Sequence, residues 1–249
     1  MTQVAKQSSG GLLSILRTVV IAGAIAFTFR SFAFEPFNIP SGSMLPTLLV
    51  GDFLFVSKYS YGYSKYSFPG SLDLFSGRIG GSLPERGDVA VFRWPRNTSI
   101  DYIKRVIGLP GDRIQMRAGR LYINGTLVER EHVGTFEDTD ERGVVTRLHM
   151  YIETLPNGVR HHILERSDRE QLDNTPEYVV PEGHFFAMGD NRDNSQDSRV
   201  MNSVGFVPLE NLVGRAEVLF FSIDDSKGWL FGIPNGIRWS RLFNSISPG

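Results

Sequence analysis

The stretch GDVAVFRW, residues 87 to 94, combines a Gly-Asp pair with a run of β-branched and aromatic residues. The same arrangement recurs in GDFLFVSKY from Gly51 and in GDRIQM from Gly111. Such runs are typical of β-strands, and Gly and Asp are typical of the turns between strands. In RLYINGTLVE, the dipeptide Asn124-Gly125 is the one that best closes a two-residue hairpin. Most of the chain is therefore predicted to be β.

Length and composition limit the possible functions. A chain of 249 residues can bury one sizeable core with a smaller second lobe. The chain has 41% apolar residues, 21% charged residues and a net charge of -1, which is an ordinary composition for a globular protein. It lacks the basic excess of a nucleic-acid-binding protein. The absence of cysteine excludes disulfides, thiolate catalysis and thiolate metal sites. We predict no cofactor, no metal and a monomer.

The N-terminal stretch GLLSILRTVVIAGAIAFTFRSFAF, residues 11 to 34, is apolar except for two arginines. Residues 12–34 can cross about 30 Å of hydrocarbon if Arg17 and Arg30 extend toward the headgroups. We predict a transmembrane helix at 12–34 after a cytoplasmic tail at 1–11, because Lys6 and Arg17 favour a cytoplasmic N-terminus.

Two alternatives remain open for this segment. It is also compatible with a cleaved signal peptide, because Ser31-Phe32-Ala33 has small residues at the positions that a processing enzyme inspects. Arg30, between the apolar run and that site, argues against cleavage. The second alternative is a buried core helix.

The remaining chain divides by composition. Residues 35–112 and 181–249 are predicted to form the main β domain. Residues 113–180 carry dense mixed charge and are predicted to form an inserted polar β lobe. The Gly-, Ser- and Tyr-rich stretch at 57–88 is interpreted as a long surface excursion.

Ser41 and Ser43, in FNIPSGSMLPTLLVGD, are candidate nucleophiles, but a serine hydroxyl needs a base to take its proton. None of the five histidines lies in a turn that would fix a base, and His161 and His162 would point to opposite faces of a strand. Lys104 lies in the apolar, strand-like run DYIKRVIGLPGD. Lys104 and Arg105 must also face opposite ways, so one of them is expected to point inward. A lysine base would have to be desolvated, because the usual pKa of about 10.4 leaves almost no neutral amine at pH 7.

Four segments occur in the order of the conserved boxes of one enzyme family. The chain resembles bacterial type I signal peptidases, which are membrane-bound serine endopeptidases with a Ser-Lys dyad. The segments are PSGSMLPTLLVGD at 40–52, RGDVAVFRWP at 86–95, DYIKRVIGLPGD at 101–112 and MGDNRDNSQDSR at 188–199.

The resemblance implies a role for each matching residue. Ser43 would be the nucleophile, Lys104 the general base, and Ser41 with the backbone N–H of Ser43 the oxyanion hole. Ser195 would orient the lysine, and Asp197 with Arg199 would form a structural ion pair beneath the site. Near the nucleophile, we interpret Ile39 and Met44 as walls of a substrate pocket.

The resemblance also implies a β-barrel-like catalytic body and a function. The protein would remove leader peptides from secretory preproteins, cutting after small residues, with its catalytic domain on the outer face of the bacterial inner membrane and in contact with lipid. Three other interpretations of the sequence stay open. They are a Ser-Lys autopeptidase like the SOS-response repressors, a non-catalytic β-rich membrane scaffold, and, for GDNRDNSQD, a calcium loop using Asp190, Asp193 and Asp197.

Overall fold

The computed structural model describes residues 10–68, 76–139, 143–230 and 233–246. Most of the predicted cytoplasmic tail, residues 1–9, lies outside the described residues. Within these described residues, helix α1, Gly10–Phe32, is followed by sixteen short or medium strands. The prediction of a mostly β chain is confirmed.

Helix α1 contains a 20-residue segment, Leu13–Phe32, with a mean hydropathy of 1.6, which is long and apolar enough to cross a membrane. Its large apolar side chains stay exposed, for example Leu13 at 73% and Val19 at 61%. The alternative of a buried core helix is therefore wrong. The helix ends at Phe32, two residues before the predicted end, because the backbone becomes extended at Phe34.

The strands and the short 3-10 helices have the following bounds. The strands are β1 Phe34–Asn38, β2 Asp52–Ser57, β3 Val89–Trp94, β4 Asn97–Gly108, β5 Arg113–Arg117, β6 Arg120–Ile123, β7 Thr126–Leu127, β8 Glu129–Thr139, β9 Val145–Thr154, β10 Arg160–Glu165, β11 Tyr178–Val179, β12 His184–Met188, β13 Val207–Pro208, β14 Leu212–Ser222, β15 Trp229–Leu230 and β16 Ile233–Pro234. The 3-10 turns are Gly42–Met44, Tyr59–Tyr61, Lys65–Ser67, Leu209–Asn211, Asp225–Lys227 and Trp239–Arg241.

Three of the Gly-Asp pairs build the same turn before a strand. The glycines adopt positive φ angles, at Gly51 (86°), Gly87 (99°) and Gly111 (86°), which a residue with a Cβ rarely adopts. Each following aspartate accepts the backbone N–H three residues earlier: Leu49 to Asp52 at 2.8 Å, Glu85 to Asp88 at 3.0 Å and Leu109 to Asp112 at 2.7 Å. The predicted turn chemistry is thus present, and it fixes where β2, β3 and β5 begin.

The main sheet has seven antiparallel strands in the order β1-β2-β14-β3-β4-β12-β13, with β1 and β13 at its two ends. Its central strand β3 is covered on both faces, because Val89 and Val91 belong to one apolar cluster while Ala90 and Phe92 belong to another. A strand between two cores has no solvent face, and the β4 residues paired with Ala90 and Val89, which are Lys104 and Arg105, are also buried.

The predicted lobe contains two further sheets. Strands β11-β5-β6-β7 form one and β10-β9-β8 the other. The hairpin between β6 and β7 closes at Asn124-Gly125, both with positive φ, as predicted. The lobe shares its apolar core with the main sheet, since Ile107 and Phe186 pack with Ile114 and Met116. The boundaries at 113 and 180 coincide with a change of sheet, and the division into domains stays a prediction.

The interpretation of 57–88 as a surface excursion is wrong for its first part. Lys58 and Tyr61 are buried, because Lys58 Nζ lies 2.8 Å from Glu35 Oε2 and the Tyr61 hydroxyl donates to Asp88 Oδ2 at 2.9 Å. Residues 69–75 lie outside the described residues.

Candidate active site

Ser43 lies in the short 3-10 turn Gly42–Met44, between the ends of β1 and β2. Met44 is fully buried in the main core and anchors this turn from one side. Asn191 holds it from the other side, because its backbone N–H donates to Ser43 O and its side-chain Nδ2 donates to Gly42 O, both at 3.1 Å. The nucleophile candidate therefore sits on a turn fixed at both ends.

Lys104 lies on β4, paired with Ala90 of β3. Its Nζ is 2.8 Å from Ser43 Oγ and donates to the backbone carbonyl of Ile103 at 2.8 Å. The residue is only 4% exposed. Burial lowers the pKa of Lys104 to about 8, against the upward influence of the more distant carboxylates of Asp197 and Asp190. Within the described residues, its ammonium forms no ion pair.

Arg105, the next residue, is buried on the opposite face of β4. It binds Asp190 through two hydrogen bonds, Nε to Oδ1 at 2.8 Å and Nη2 to Oδ2 at 2.7 Å, and Thr47 Oγ1 donates to the same carboxylate at 2.6 Å. The expectation that only one of Lys104 and Arg105 points inward is therefore wrong. Both are buried because β4 is covered on both faces.

Asp197 and Arg199 form the expected ion pair. Arg199 Nε and Nη2 donate to the two carboxylate oxygens, each at 2.9 Å, and Gly189 N–H donates to Oδ2 at 3.0 Å. Burial by itself would raise the pKa of Asp197, but the Arg199 charge and these hydrogen bonds bring it below its usual range. Asp197 therefore stays ionised beneath the site.

The two other predicted serines differ in their contacts. Ser41 is exposed, and its Oγ is 3.5 Å from Ser43 Oγ. The expected hydrogen bond from Ser195 to Lys104 is not formed. Ser195 Oγ instead lies against Gly189, where an added Cβ would come within 2.2 Å of it and 2.5 Å of Ser43 O. It also lies close enough to Asp197 to help lower that pKa, without hydrogen-bond geometry.

Ile39 and Met44 both belong to the main core, at 3% and 0% exposure. Neither presents an open wall to solvent, so their role in a substrate pocket stays a prediction. Among the described residues there is no cluster of three or more metal-ligating side chains. The three aspartates of the calcium interpretation have other partners, as with Asp193, which accepts the backbone N–H of Arg166 at 2.6 Å.

Sequence reasoning missed the contacts of Asn191 and Thr47, and it considered Asp190 only as a calcium ligand. Asn191 and Asp190 lie inside MGDNRDNSQDSR and Thr47 lies inside PSGSMLPTLLVGD, so their positions in these segments were the available signal. The pairing of Thr47 with Asp190 had no local signal, because the two residues are 143 positions apart along the chain.

A family model described as signal peptidase, peptidase S26, matches residues 12–221 of the chain. The chain belongs to this family. It is 45% identical to signal peptidase I of Rickettsia typhi and to that of Rickettsia prowazekii, over 89% of this chain and 89% of each relative. Signal peptidase I of Rickettsia conorii is 42% identical over 88% of this chain and 81% of its own length.

A crystal structure of a signal peptidase I from Enterococcus faecalis V583 shares 29% identity, covering 54% of this chain and 97% of that one, with a TM-score of 0.33. The family and the curated relatives establish the chain as a signal-peptide-removing peptidase. The non-catalytic scaffold is thereby excluded.

Proposed function

We propose that this chain is a single-span serine endopeptidase of the bacterial inner membrane that cuts leader peptides from exported preproteins after small residues, using Ser43 and Lys104. The observation that carries the proposal is the 2.8 Å separation between Ser43 Oγ and an amine that is buried without a carboxylate partner among the described residues. A base of this kind needs to be neutral when substrate binds.

The lowered pKa supports Lys104 as that base. With a pKa of about 8, about a tenth of the molecules carry a neutral amine at pH 7, compared with about 0.03% for an ordinary lysine. The shift corresponds to about 3 kcal/mol, which a desolvated position can impose. Asp197 and Asp190 oppose this state by favouring the ammonium, and each is itself paired with an arginine, Arg199 and Arg105, rather than with Lys104.

In the acylation step, Lys104 Nζ accepts the Ser43 proton while Oγ forms a bond to the carbonyl carbon of the leader's last residue. The scissile C–N bond then breaks, and the Lys104 ammonium gives its proton to the departing amine. In the second step, water gives a proton to Lys104, attacks the ester and releases the leader with a free carboxylate. Lys104 returns the proton to Ser43 Oγ.

The developing oxyanion would be bound by Ser41 Oγ and the backbone N–H of Ser43. In related reactions, each such hydrogen-bond donor stabilises the oxyanion of the transition state by about 3 to 4 kcal/mol. The exposure of Ser41 beside buried Ser43 supports an approach of the substrate from this side. Ser195 is proposed to restrain the lysine when substrate is bound.

The position of the nucleophile supports action at the membrane. Residues 33–42 separate the end of α1 at Phe32 from Ser43, and half of them form β1, whose five residues extend about 17 Å. With Lys6 and Arg17 on the cytoplasmic side, the catalytic body lies on the outer face. A leader still in the bilayer then presents its cleavage site close to Ser43.

The experiment is incubation of detergent-solubilised protein with a preprotein. Wild type should release the mature chain, whereas Ser43→Ala and Lys104→Ala should not. Two exposed positions give matched controls, Ser99→Ala and Lys227→Ala, which should retain full activity. Cleavage that survives loss of Ser43 or Lys104 contradicts the dyad.

A further inference from the structure

The three-stranded sheet of the lobe, β10-β9-β8, contacts the surroundings of Ser43 in two places, one apolar and one polar. We propose that this sheet holds Ser43 in the position for attack, and that Glu153 on β9 is a positioning residue of the reaction that acts through Arg192. This inference rests on the proposed function, because it takes Ser43 as the nucleophile.

The apolar contact lies directly after the nucleophile turn. Leu45 follows the turn Gly42–Met44 and is 5% exposed. It packs in one buried cluster with Leu148 of β9 and Leu164 of β10. Side chains of the lobe therefore support one end of the turn.

The polar contact runs through the backbone at the end of β10. Leu164 N–H donates to Asp190 O at 2.8 Å, and Leu164 O accepts the N–H of Arg192 at 2.9 Å. These two bonds lie on either side of Asn191, whose backbone N–H and Nδ2 donate to carbonyls of the Ser43 turn. A movement of this segment away from β10 would therefore move the turn with it.

The side chain of Arg192 fixes the segment to the same sheet. It is 1% exposed, and its Nη1 and Nη2 donate to the two carboxylate oxygens of Glu153 at 2.9 and 2.5 Å. Among the described residues, Glu153 provides every acceptor of this guanidinium, since Nε has none. Glu153 is itself buried on the central strand, where it pairs with Arg130 of β8 and His161 of β10. A bidentate pair is directional, so it sets the position of Arg192 against the sheet.

The effect of this support falls on the chemical step. Ser43 Oγ and Lys104 Nζ are 2.8 Å apart, and a misplacement of reacting groups by about 1 Å can cost about a hundredfold in rate. A looser Ser43 turn therefore lowers kcat. Lys104 lies on β4, outside the turn, so the pH at which it becomes neutral should not change.

The first test is Glu153→Gln in the full-length, detergent-solubilised protein with a preprotein as substrate. At pH 9, above the pKa of about 8 of Lys104, kcat should be about tenfold lower than in wild type. KM should change by less than about twofold, because binding tolerates a small displacement that the attack does not, and the midpoint of the pH profile should stay near 8. The matched control is Glu137→Gln, which breaks an exposed ion pair with Arg147 in the same sheet and should keep the wild-type kcat.

The double variant Glu153→Leu/Arg192→Met separates positioning from stability. It leaves no unpaired charge at this site, so its free energy of unfolding in urea should be close to that of wild type. Its kcat should still be about tenfold low, because the directional bonds are gone. A wild-type kcat in either Glu153 variant overturns the inference, and so does a double variant that has lost its fold. Cleavage by Ser43→Ala in the same assay instead contradicts the proposed function itself.

Discussion

Lys104 and Arg105 are adjacent on β4, and both are buried cations with opposite surroundings. Two nitrogens of Arg105 donate hydrogen bonds to the carboxylate of Asp190, which accepts a third hydrogen bond from Thr47. The partners of Lys104 Nζ are both uncharged: the Ser43 hydroxyl and the Ile103 backbone carbonyl, each at 2.8 Å. The one-residue step along β4 therefore separates a cation paired with a carboxylate from a cation that has no carboxylate partner among the described residues and is the proposed base.

The difference shows how a buried charge acquires its role. An arginine keeps its proton under any condition a protein meets, so its burial requires a counter-ion, and the pair then ties β4 to the segment 188–199. A lysine denied a counter-ion can instead lose its proton, which makes it a base.

The largest expected effect is on activity. Lys104→Met should lower kcat by about a thousandfold or more, because no group remains to accept the Ser43 proton. The folded state should be no less stable than wild type at pH 7, because methionine fills the site without a charge. Preprotein cleavage and urea unfolding, measured on the same preparation, check both parts. Loss of folding in Lys104→Met would mean that the lysine is structural.

The corresponding change at the neighbouring residue should act on stability. Arg105→Met leaves Asp190 buried and unpaired, and should lower the free energy of unfolding by about 3–5 kcal/mol. Denaturant unfolding measures the loss. The double variant Arg105→Met/Asp190→Leu is the control, and it should recover much of the stability because it removes both charges. Equal losses in the two variants would speak against an unpaired carboxylate as the cause.

The pH dependence of stability should distinguish wild type from Lys104→Met. The pKa of Lys104 is about 8 in the folded state, while the unfolded chain has its ordinary value of 10.5. Between these values the unfolded state binds more protons, so the lysine's contribution to stability rises with pH by about 3 kcal/mol over pH 8 to 10.5. Wild type should gain on the variant across this window in urea unfolding. Parallel curves would show that the two states share one pKa.

The smallest effect concerns the turn that carries Ser43, the proposed nucleophile. Asn191→Ala removes the side-chain bond to Gly42 O but keeps the backbone bond to Ser43 O. We expect kcat to fall about tenfold and the free energy of unfolding to fall by about 1 kcal/mol. The comparison variant is Asn194→Ala, an exposed position in the same segment, which should change stability little. An unchanged kcat in Asn191→Ala would remove the positioning role.

The sequence predicted those features that depend on local chemistry. The Gly-Asp turns, the Asn124-Gly125 hairpin and the apolar helix follow from residues close together in the chain. Proximity of Ser43 and Lys104 came from the family resemblance, since 61 residues separate them and no local rule joins them.

What sequence reasoning missed depends on how strands are assembled. The burial of both Lys104 and Arg105 requires a cover on each face of β4, and strand alternation alone predicts only that they diverge. The burial of Lys58 and Tyr61 depends on Glu35 and Asp88, which are distant in the chain. The position of Ser195 against Gly189, rather than on Lys104, depends on side-chain packing that residue type does not reveal.

The central claim is that Lys104 acts as a neutral base, and the pH profile of kcat/KM for preprotein cleavage tests it most directly. Measured from pH 6 to 10 on the solubilised full chain, the rate should rise with pH and reach half its maximum near pH 8, the pKa of Lys104. A half-maximum near 6.5, typical of histidine, or a rate independent of pH across this range, would contradict the account.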